Sequence, residues 1–249
     1  MSSEVKSALA MFSLLLLLLC AIVNVLSNPA ISLQQCKSND DACVTRAVNA
    51  AYPLILEANP DIGAEPMDPM FQTEIEGNLS ILKFKLFNST ITGFKSCVIE
   101  SAKFNEEQQT LKLDLQCGGF TLTGLYDING RLIVLPVEGN GDYSIVTKKF
   151  RIALNMDLKT NTGKDGKTYR SIKNFKIEAE PLEPVVFDFK NLFNGQKDLA
   201  DAVMKFANEN WYEVANEVQL PVFTANFKRV VKNANKYLKT VSLDEYIVL

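Results

Sequence analysis

Cysteines are the residues of this 249-residue chain that could form covalent links. One of the five, Cys20, lies in an uncharged N-terminal run, and the other four are Cys36, Cys43, Cys97 and Cys117. No Cys-x-x-Cys spacing occurs and the chain has no histidine, so we expect no metal site. An even number of cysteines favours disulfides in an exported chain, and a Cys36–Cys43 bridge would tie the chain entry to the first helix.

The spacing around Cys97 and Cys117 predicts a second disulfide, across a β-hairpin. Two strands, around 97–104 and 110–117, flank a polar turn whose midpoint is Glu107. Both cysteines lie ten residues from that midpoint, so they face each other in a regular antiparallel pair, with Ile99 opposite Leu115. A single bulge would turn one side chain to the opposite face and leave two buried thiols instead.

The absence of histidine also removes the usual catalytic arrangements. Neither Ser-His-Asp nor Cys-His catalysis is available, and no Gly-x-Ser-x-Gly motif occurs. We therefore expect no catalytic residue and no cofactor, with an esterase or lipase as the remaining enzyme alternative. A net charge of −3 with scattered basic residues provides no cationic patch, so we expect no nucleic-acid partner.

Two tyrosines and one apolar stripe are the residues that could contact a ligand. Tyr126 and Tyr143 could each offer a hydroxyl to the polar end of an apolar molecule, although both could equally be ordinary strand aromatics. The stripe could likewise be plain core, because aromatic and branched residues at helical spacing usually pack. Its members are Val203, Phe206, Trp211, Val214 and Val218.

The stripe belongs to one very long predicted helix, residues 194–240. Apolar residues recur there every three or four positions, which places them on one helical face. Asn194-Gly195 marks the start of the helix, and Pro221 is the helix breaker expected to kink or divide it. An apolar face of this length requires an equally long partner.

A set of long antiparallel strands is the partner that the sequence predicts. Apolar and polar residues alternate around 82–87, 111–116, 121–128, 131–137, 152–158, 175–179 and 185–189. Asn129-Gly130 predicts a tight turn between two of these strands. With a short N-terminal helix capped at Asp40-Asp41, the fold class is α+β, a long curved antiparallel sheet wrapped around one long C-terminal helix. Imperfect packing between sheet and helix would leave an apolar gap.

The first 27 residues have the pattern of a secretory signal peptide. Lys6 precedes an uncharged run, residues 8–23, which is followed by a polar position and the small Ser27. A membrane anchor is the alternative, but the run is short for a span. We expect cleavage after Ser27, export of residues 28–249 as a single domain, and no stable membrane insertion. Asn78 and Asn88 each begin a sequon for N-glycosylation.

Several blocks together resemble the takeout and haemolymph juvenile-hormone-binding proteins of insects. They are the Cys36–Cys43 pair, the connector ending at Asp68-Pro69, the segment 124–143, and the sequences FKNLFNG at 189–195 and FANENW at 206–211. The resemblance covers essentially all of the mature chain. Cys97, Cys117 and the tail SLDEYIVL depart from the family pattern.

The resemblance implies a fold shared with bactericidal/permeability-increasing-type lipid-binding proteins, in which the sheet and helix enclose a hydrophobic tunnel. It further implies a secreted, monomeric, non-catalytic carrier in haemolymph or another extracellular fluid. The ligand would be a juvenile-hormone-like terpenoid, a fatty acid or an odorant, held by the stripe and tyrosines above. An antimicrobial or membrane-lipid-binding protein of the same fold is the alternative, which an isoelectric point near 5.2 disfavours.

Overall fold

The N-terminal helix begins where the two aspartates predict it. In the computed structural model, which describes residues 34–248, helix α1 spans Asp41–Leu56. The Asp40 carboxylate caps it by accepting a hydrogen bond from the Cys43 backbone N–H at 2.9 Å. A disulfide joins Cys36, in the short strand β1 (Cys36–Lys37), to Cys43 in the first turn of the helix. The predicted signal peptide and its cleavage site lie outside the described residues.

The strands form two antiparallel sheets rather than one. The strands are β2 Met70–Asn78, β3 Leu82–Thr92, β4 Val98–Asn105, β5 Thr110–Cys117, β6 Thr121–Leu132, β7 Leu135–Val146, β8 Phe150–Thr162, β9 Thr168–Pro181 and β10 Val186–Phe189. The first sheet has five strands in the order β10–β7–β6–β3–β2, and the second has four in the order β4–β5–β8–β9. A last short strand, β11 (Ile247–Val248), pairs in parallel with β1.

The chain passes between the two sheets through one crossover region, residues 93–97, 118–120, 147–149 and 182–185. A Cβ atom on Gly93 would collide with the backbone of Gly119, and one on Gly119 would collide with the carbonyl of Thr147. Phe120 and Thr147 are hydrogen-bonded to each other, with the Thr147 N–H donating to the Phe120 carbonyl at 2.8 Å. Glycine therefore allows the connecting segments to lie against each other. The alternation of apolar and polar residues predicts the strands but not the boundary between the two sheets.

The predicted turn at Asn129-Gly130 is wrong. Strand β6 continues through both residues to Leu132, and the turn lies at Ile133-Val134, where Ile133 has a φ of 56°. At Gly130, β6 lies close to the backbone at the start of β3, and a Cβ atom there would collide with the Ile81 carbonyl. Close approach of the neighbouring backbone, rather than a turn, requires this glycine.

The Cys97–Cys117 disulfide closes the β4–β5 hairpin at the crossover region. Ile99 pairs with Leu115, which is the register that the equal spacing predicts. The turn contains the four residues between the paired Asn105 and Thr110, and this even number alone would shift the register by one residue. A β-bulge between residues 99 and 101 shifts it back, so the two irregularities cancel.

We expect the double substitution Cys97→Ala, Cys117→Ala to lower the free energy of unfolding by about 3 kcal/mol, because it reopens a loop in the unfolded chain. Cys36→Ala with Cys43→Ala is the matched control and should lose only about 2 kcal/mol, since the sequence separation is 7 rather than 20 residues. Urea unfolding followed by circular dichroism measures both. Two alkylated thiols at positions 97 and 117 of the denatured, unreduced protein would refute the bridge.

The C-terminal helix is divided, and the division is at Asn210 rather than at Pro221. Helix α2 spans Lys197–Glu209 and helix α3 spans Trp211–Leu238, with Pro221 inside α3. Asn210 leaves helical geometry, with φ −109° and ψ 38°. Its side-chain amide donates to the Phe206 carbonyl at 2.8 Å. The Phe206 carbonyl therefore accepts both the backbone N–H of Asn210, at 2.9 Å, and its side-chain amide, which holds Asn210 at the end of α2.

Five phenylalanines join the crossover region to α3 in the centre of the core. Their ring centroids lie 5.1 to 6.2 Å apart along the chain of contacts. They are Phe94, Phe120, Phe150, Phe223 and Phe227. The predicted α+β class, with curved antiparallel β-structure packed on a long C-terminal helical segment and a short N-terminal helix, is confirmed.

Amide side chains from the helices bond the outer strands of the sheets. Asn235 in α3 accepts from the Ile172 backbone N–H at 2.7 Å and donates to the carbonyl of the same residue at 2.9 Å. Three asparagines repeat this arrangement, namely Asn49 with Ile99 in β4, Asn208 with Phe187 in β10, and Asn235 with Ile172 in β9. Strands β4, β9 and β10 are all edge strands, so each amide occupies backbone groups that no neighbouring strand pairs.

Candidate ligand-binding cavity

An apolar cavity of about 60 Å³ lies between the five-stranded sheet and helices α2 and α3. Four of the predicted ligand-contacting residues line it: Val203 from α2, Val214 and Val218 from α3, and Tyr126 from β6. Strands β3, β6, β7 and β10 supply much of the opposite wall, including Phe84, Leu86, Ile128, Val137, Phe187 and Phe189. Alternation in β3 already marks Phe84 and Leu86 as inward-facing residues.

The cavity-lining residues of the two C-terminal helices follow a regular spacing. Val203 and Ala207 line it from α2, and Val214, Val218 and Val222 line it from α3 at intervals of four. Within each helix this spacing keeps the side chains on one face. The step of seven residues from Ala207 to Val214, about two helical turns, continues the same pattern across Asn210.

The cavity lining does not include Phe206, Trp211 or Tyr143. Phe206 and Trp211 are partly buried and pack against the core. Tyr143 stacks on Phe189 with ring centroids 5.7 Å apart, and it donates its hydroxyl to Ser89 Oγ at 2.8 Å. This hydroxyl already has a protein partner, and its ring supports one wall residue from behind.

Among the described residues that line the cavity, Tyr126 alone has an oxygen or nitrogen atom in its side chain. Its hydroxyl donates to the Lys190 backbone carbonyl at 2.6 Å. Burial first, and the nearby Asp127 carboxylate second, raise the pKa of Tyr126 to about 12, so the hydroxyl keeps its proton. The cavity therefore presents apolar surface, and the oxygen that could orient a ligand is bonded to the protein.

Gly77 gives the Phe84 ring its position in the cavity wall. The two residues are paired across β2 and β3, and a Cβ atom on Gly77 would overlap the ring. We expect Gly77→Ala to displace the ring, weaken binding of an apolar ligand, and lower the unfolding free energy by about 1–3 kcal/mol. Calorimetric titration and thermal melting measure both effects. Glu76→Ala, at the exposed neighbouring position, is the control and should change neither; equal behaviour of the two variants would contradict the assigned wall.

The remaining predicted sites lie on the surface. Asn78 ends β2 and Asn88 lies at a β-bulge in β3, and both side chains are exposed. Within residues 34–248, no group of three or more Cys, Asp or Glu side chains is arranged to hold a metal ion. None of the helices in this range combines the length and the apolar character that crossing a membrane requires.

Known proteins are similar to this chain in fold and, more distantly, in sequence. The crystal structure of Takeout 1 from Epiphyas postvittana superposes with a TM-score of 0.80 and 29% identity, covering 87% of this chain and 100% of that one. The circadian clock-controlled protein daywake of Drosophila melanogaster is 26% identical over 226 residues, 86% of each chain. A putative beta-carotene-binding protein of Schistocerca gregaria is 24% identical over 167 residues, 66% of each chain. The family model of the haemolymph juvenile hormone binding proteins matches residues 14–248, and the chain therefore belongs to this family, which includes the takeout proteins.

Proposed function

We propose that the protein is a secreted, non-catalytic carrier that binds a small hydrophobic ligand in the apolar cavity. The observation that carries this proposal is the cavity wall, in which the one side-chain oxygen is bonded to Lys190. Apolar enclosure of this kind favours a ligand through burial of its carbon surface rather than through polar contacts. The name of the family and that of the Schistocerca relative support a terpenoid-like ligand.

The ligand must widen the cavity on entry. Ligand pockets usually enclose about 300–1,000 Å³, whereas this cavity is about 60 Å³. Met204, Val218 and Val222 line it and are only partly buried, so they form the side through which we propose that the ligand enters. The unbranched, flexible Met204 side chain can adopt new rotamers at small cost. Displacing such side chains would open the tunnel that the family resemblance implies.

Burial of a medium-sized ligand supplies enough free energy for transport. About fifteen carbons at roughly 0.8 kcal/mol each give about 12 kcal/mol, and association removes at least about 4 kcal/mol. The difference corresponds to a dissociation constant near 1 μM on the order-of-magnitude scale. Side-chain repacking raises this value, so a longer apolar chain should bind more tightly than a shorter one.

Export and the absence of catalysis complete the proposal. Two disulfides are typical of proteins that fold in an oxidising compartment. The predicted leader and the two exposed sequons at Asn78 and Asn88 agree with passage through the secretory pathway. The chain has no histidine to activate a serine or cysteine nucleophile, and its family is a ligand-binding one. We propose that the carrier acts as a monomer.

Filling the cavity tests the proposal. Ala207, which is 1% exposed and lines the cavity, is replaced by Phe, and binding of farnesol is measured by calorimetric titration. We expect the affinity to fall by roughly tenfold or more, because the new ring occupies the space that the ligand needs. Ala50→Phe, on the exposed face of α1, is the control. Unchanged farnesol binding by a folded Ala207→Phe variant would refute the cavity as the site.

Native mass spectrometry of protein secreted from insect cells identifies the natural ligand class. We expect solvent extraction to release an apolar molecule of about 12–20 carbons, the size for which burial exceeds the cost of association. Turnover of a radiolabelled ester beyond one equivalent would overturn the non-catalytic assignment.

A further inference from the structure

Arg170 in β9 is a buried cation that has no ion-pair partner in the part of the chain that the structure describes. It is 4% exposed, and within residues 34–248 no side chain or backbone group accepts a hydrogen bond from its guanidinium or forms an ion pair with it. Its Nε atom is buried without a partner. The guanidinium carbon lies 4.3 Å from the centroid of the Phe104 ring, which covers one face of the group. A charge buried in this way is costly unless another group completes its hydrogen bonds.

The C-terminal segment that packs against β9 brings a second unpartnered donor, the Tyr246 hydroxyl. The Tyr246 hydroxyl oxygen is buried without a hydrogen-bond partner. Burial raises the pKa of Tyr246 while the positive charge of Arg170 lowers it, and burial lowers the pKa of Arg170 while Tyr246 acts in the opposite direction. The 3₁₀ turn Leu243–Glu245, directly before Tyr246, contacts strand β9, which carries Arg170. Arginine stays protonated even when buried, and the tyrosine keeps its hydroxyl proton, so both are donors.

Among the side chains of residues 34–247, no carboxylate forms an ion pair with Arg170. Glu106 is the carboxylate that acts on the pKa of Arg170, and its effect is smaller than those of burial and of Tyr246. Glu106 is exposed in the β4–β5 turn and forms no ion pair with Arg170. The guanidinium therefore has unused donors beside a neutral phenol and an aromatic ring.

We propose that Arg170 and Tyr246 form a second ligand site, which binds the carboxylate group of an organic acid. A carboxylate accepts two parallel hydrogen bonds from a guanidinium, and the Tyr246 hydroxyl adds a third. The site offers one positive charge and one neutral donor, which matches a carboxylate of charge −1 better than a phosphate of charge near −2. Phe104 provides apolar surface for the carbon chain of the acid.

This site is separate from the apolar cavity. Arg170 belongs to the four-stranded sheet, whereas strands of the five-stranded sheet line the cavity. Tyr246 lies between a 3₁₀ turn, Leu243–Glu245, and β11. The Tyr246 carbonyl accepts from the Cys36 N–H at 3.1 Å, and β11 pairs with β1 over two residues. So short a strand pair opens easily, so we propose that the acid enters when this segment opens and that Tyr246 contacts the acid when the segment closes again.

Counting bound molecules tests the proposal. Native mass spectrometry is performed on the full mature protein with dodecanoate and, separately, with 1-dodecanol, which has the same chain and no charge. We expect the protein to bind one more dodecanoate than dodecanol. Arg170→Met should lose this additional dodecanoate and keep the dodecanol, and Tyr246→Phe should weaken the additional binding by roughly 3- to 10-fold. Arg151→Met, at an exposed arginine paired with Glu180, is the matched control and should bind as the parent does.

Stability distinguishes a ligand site from a structural role. Replacing an unpaired buried charge with an apolar side chain of similar length should leave the ligand-free melting temperature unchanged or higher. Arg170→Lys keeps the charge but loses the paired donors, and it should weaken binding of the additional dodecanoate by roughly tenfold or more.

Three outcomes would contradict the proposal or part of it. Retention of the additional dodecanoate by Arg170→Met, or equal numbers of dodecanol and dodecanoate on the parent protein, would overturn the proposal. Competition by millimolar inorganic phosphate would overturn the carboxylate assignment in favour of phosphate. The two proposals fail separately. If Ala207→Phe bound farnesol normally, the cavity would not be the carrier site, but the count of dodecanoate against dodecanol on the Arg170 variants would still test the second site.

Discussion

Val214→Arg is expected to abolish uptake of an apolar ligand and to lower the free energy of unfolding by about 3–5 kcal/mol. Val214 is 2% exposed and lines the cavity on the face of α3 that also carries Val218. A guanidinium at this position meets apolar side chains, and the Tyr126 hydroxyl nearby already donates to Lys190. The new charge therefore remains unpaired, or the helix moves away from the sheet to hydrate it.

The measurement combines chemical unfolding with farnesol titration on the same preparations. Glu217→Arg is the control, because residue 217 is exposed on the same helix and receives the same side chain. We expect the control to unfold and bind as the parent does. If Val214→Arg also behaved like the parent, Val214 would not face the cavity, and the helix orientation described above would be incorrect.

Asn233→Leu is expected to lower the free energy of unfolding by about 3–6 kcal/mol, with no direct effect on the cavity. Asn233 is 1% exposed in α3. It accepts from the Glu65 backbone N–H at 3.2 Å and donates to the carbonyls of Glu65 at 2.6 Å and Ile55 at 3.1 Å. Leucine has a similar size but leaves these three backbone groups without partners, each at a cost of about 1–3 kcal/mol.

Asn233→Asp and Asn216→Leu are the informative comparisons. Aspartate keeps the acceptor for the Glu65 N–H but loses both donors, so we expect a large loss that persists at neutral pH. Asn216 is exposed on the same helix and bonds only the side chain of Gln219 in the described structure, so its replacement should cost less than about 1 kcal/mol. Thermal and urea unfolding give both values. Similar losses for Asn233→Leu and Asn216→Leu would show that the buried amide has no special role.

Periodicity predicts the architecture of this protein well, because most of its core residues repeat with the period of their element. Alternation in β3 places Phe84 and Leu86 on the inner face, and the four-residue spacing of Val214 and Val218 places them on the cavity side of α3. The fold class follows from such patterns, whereas the family is indicated by the resemblance of sequence blocks such as NLFNG and NENW. The equal spacing of Cys97 and Cys117 from Glu107 predicts the observed disulfide, although the hairpin is not regular. The four-residue turn and the bulge shift the register in opposite directions, so the two shifts cancel.

Features that depend on tertiary contacts cannot be predicted in this way. The break at Asn210 has no signal in the apolar stripe, and the spacing of the stripe does not separate Val203 and Val214, which line the cavity, from Phe206 and Trp211, which do not. Asn129-Gly130 has the composition of a turn, but the neighbouring backbone at Ile81 requires the glycine within a strand. The burial of Arg170 and Asn233 has no signal in the sequence, because polar residues at similar spacing elsewhere are exposed.

The amide bonds along the outer strands have a consequence for self-association. A free strand edge is a template on which another chain can add, which is the first step toward domain swapping and fibrils. Asn235 occupies both backbone groups of Ile172 with one donor and one acceptor, so it imitates the next strand but cannot extend the sheet. Deamidation to aspartate would keep the acceptor, lose the donor and place a charge beside the Ile172 carbonyl. Deamidation of Asn235 would thus expose the edge of strand β9 to pairing with another chain while leaving the apolar core intact.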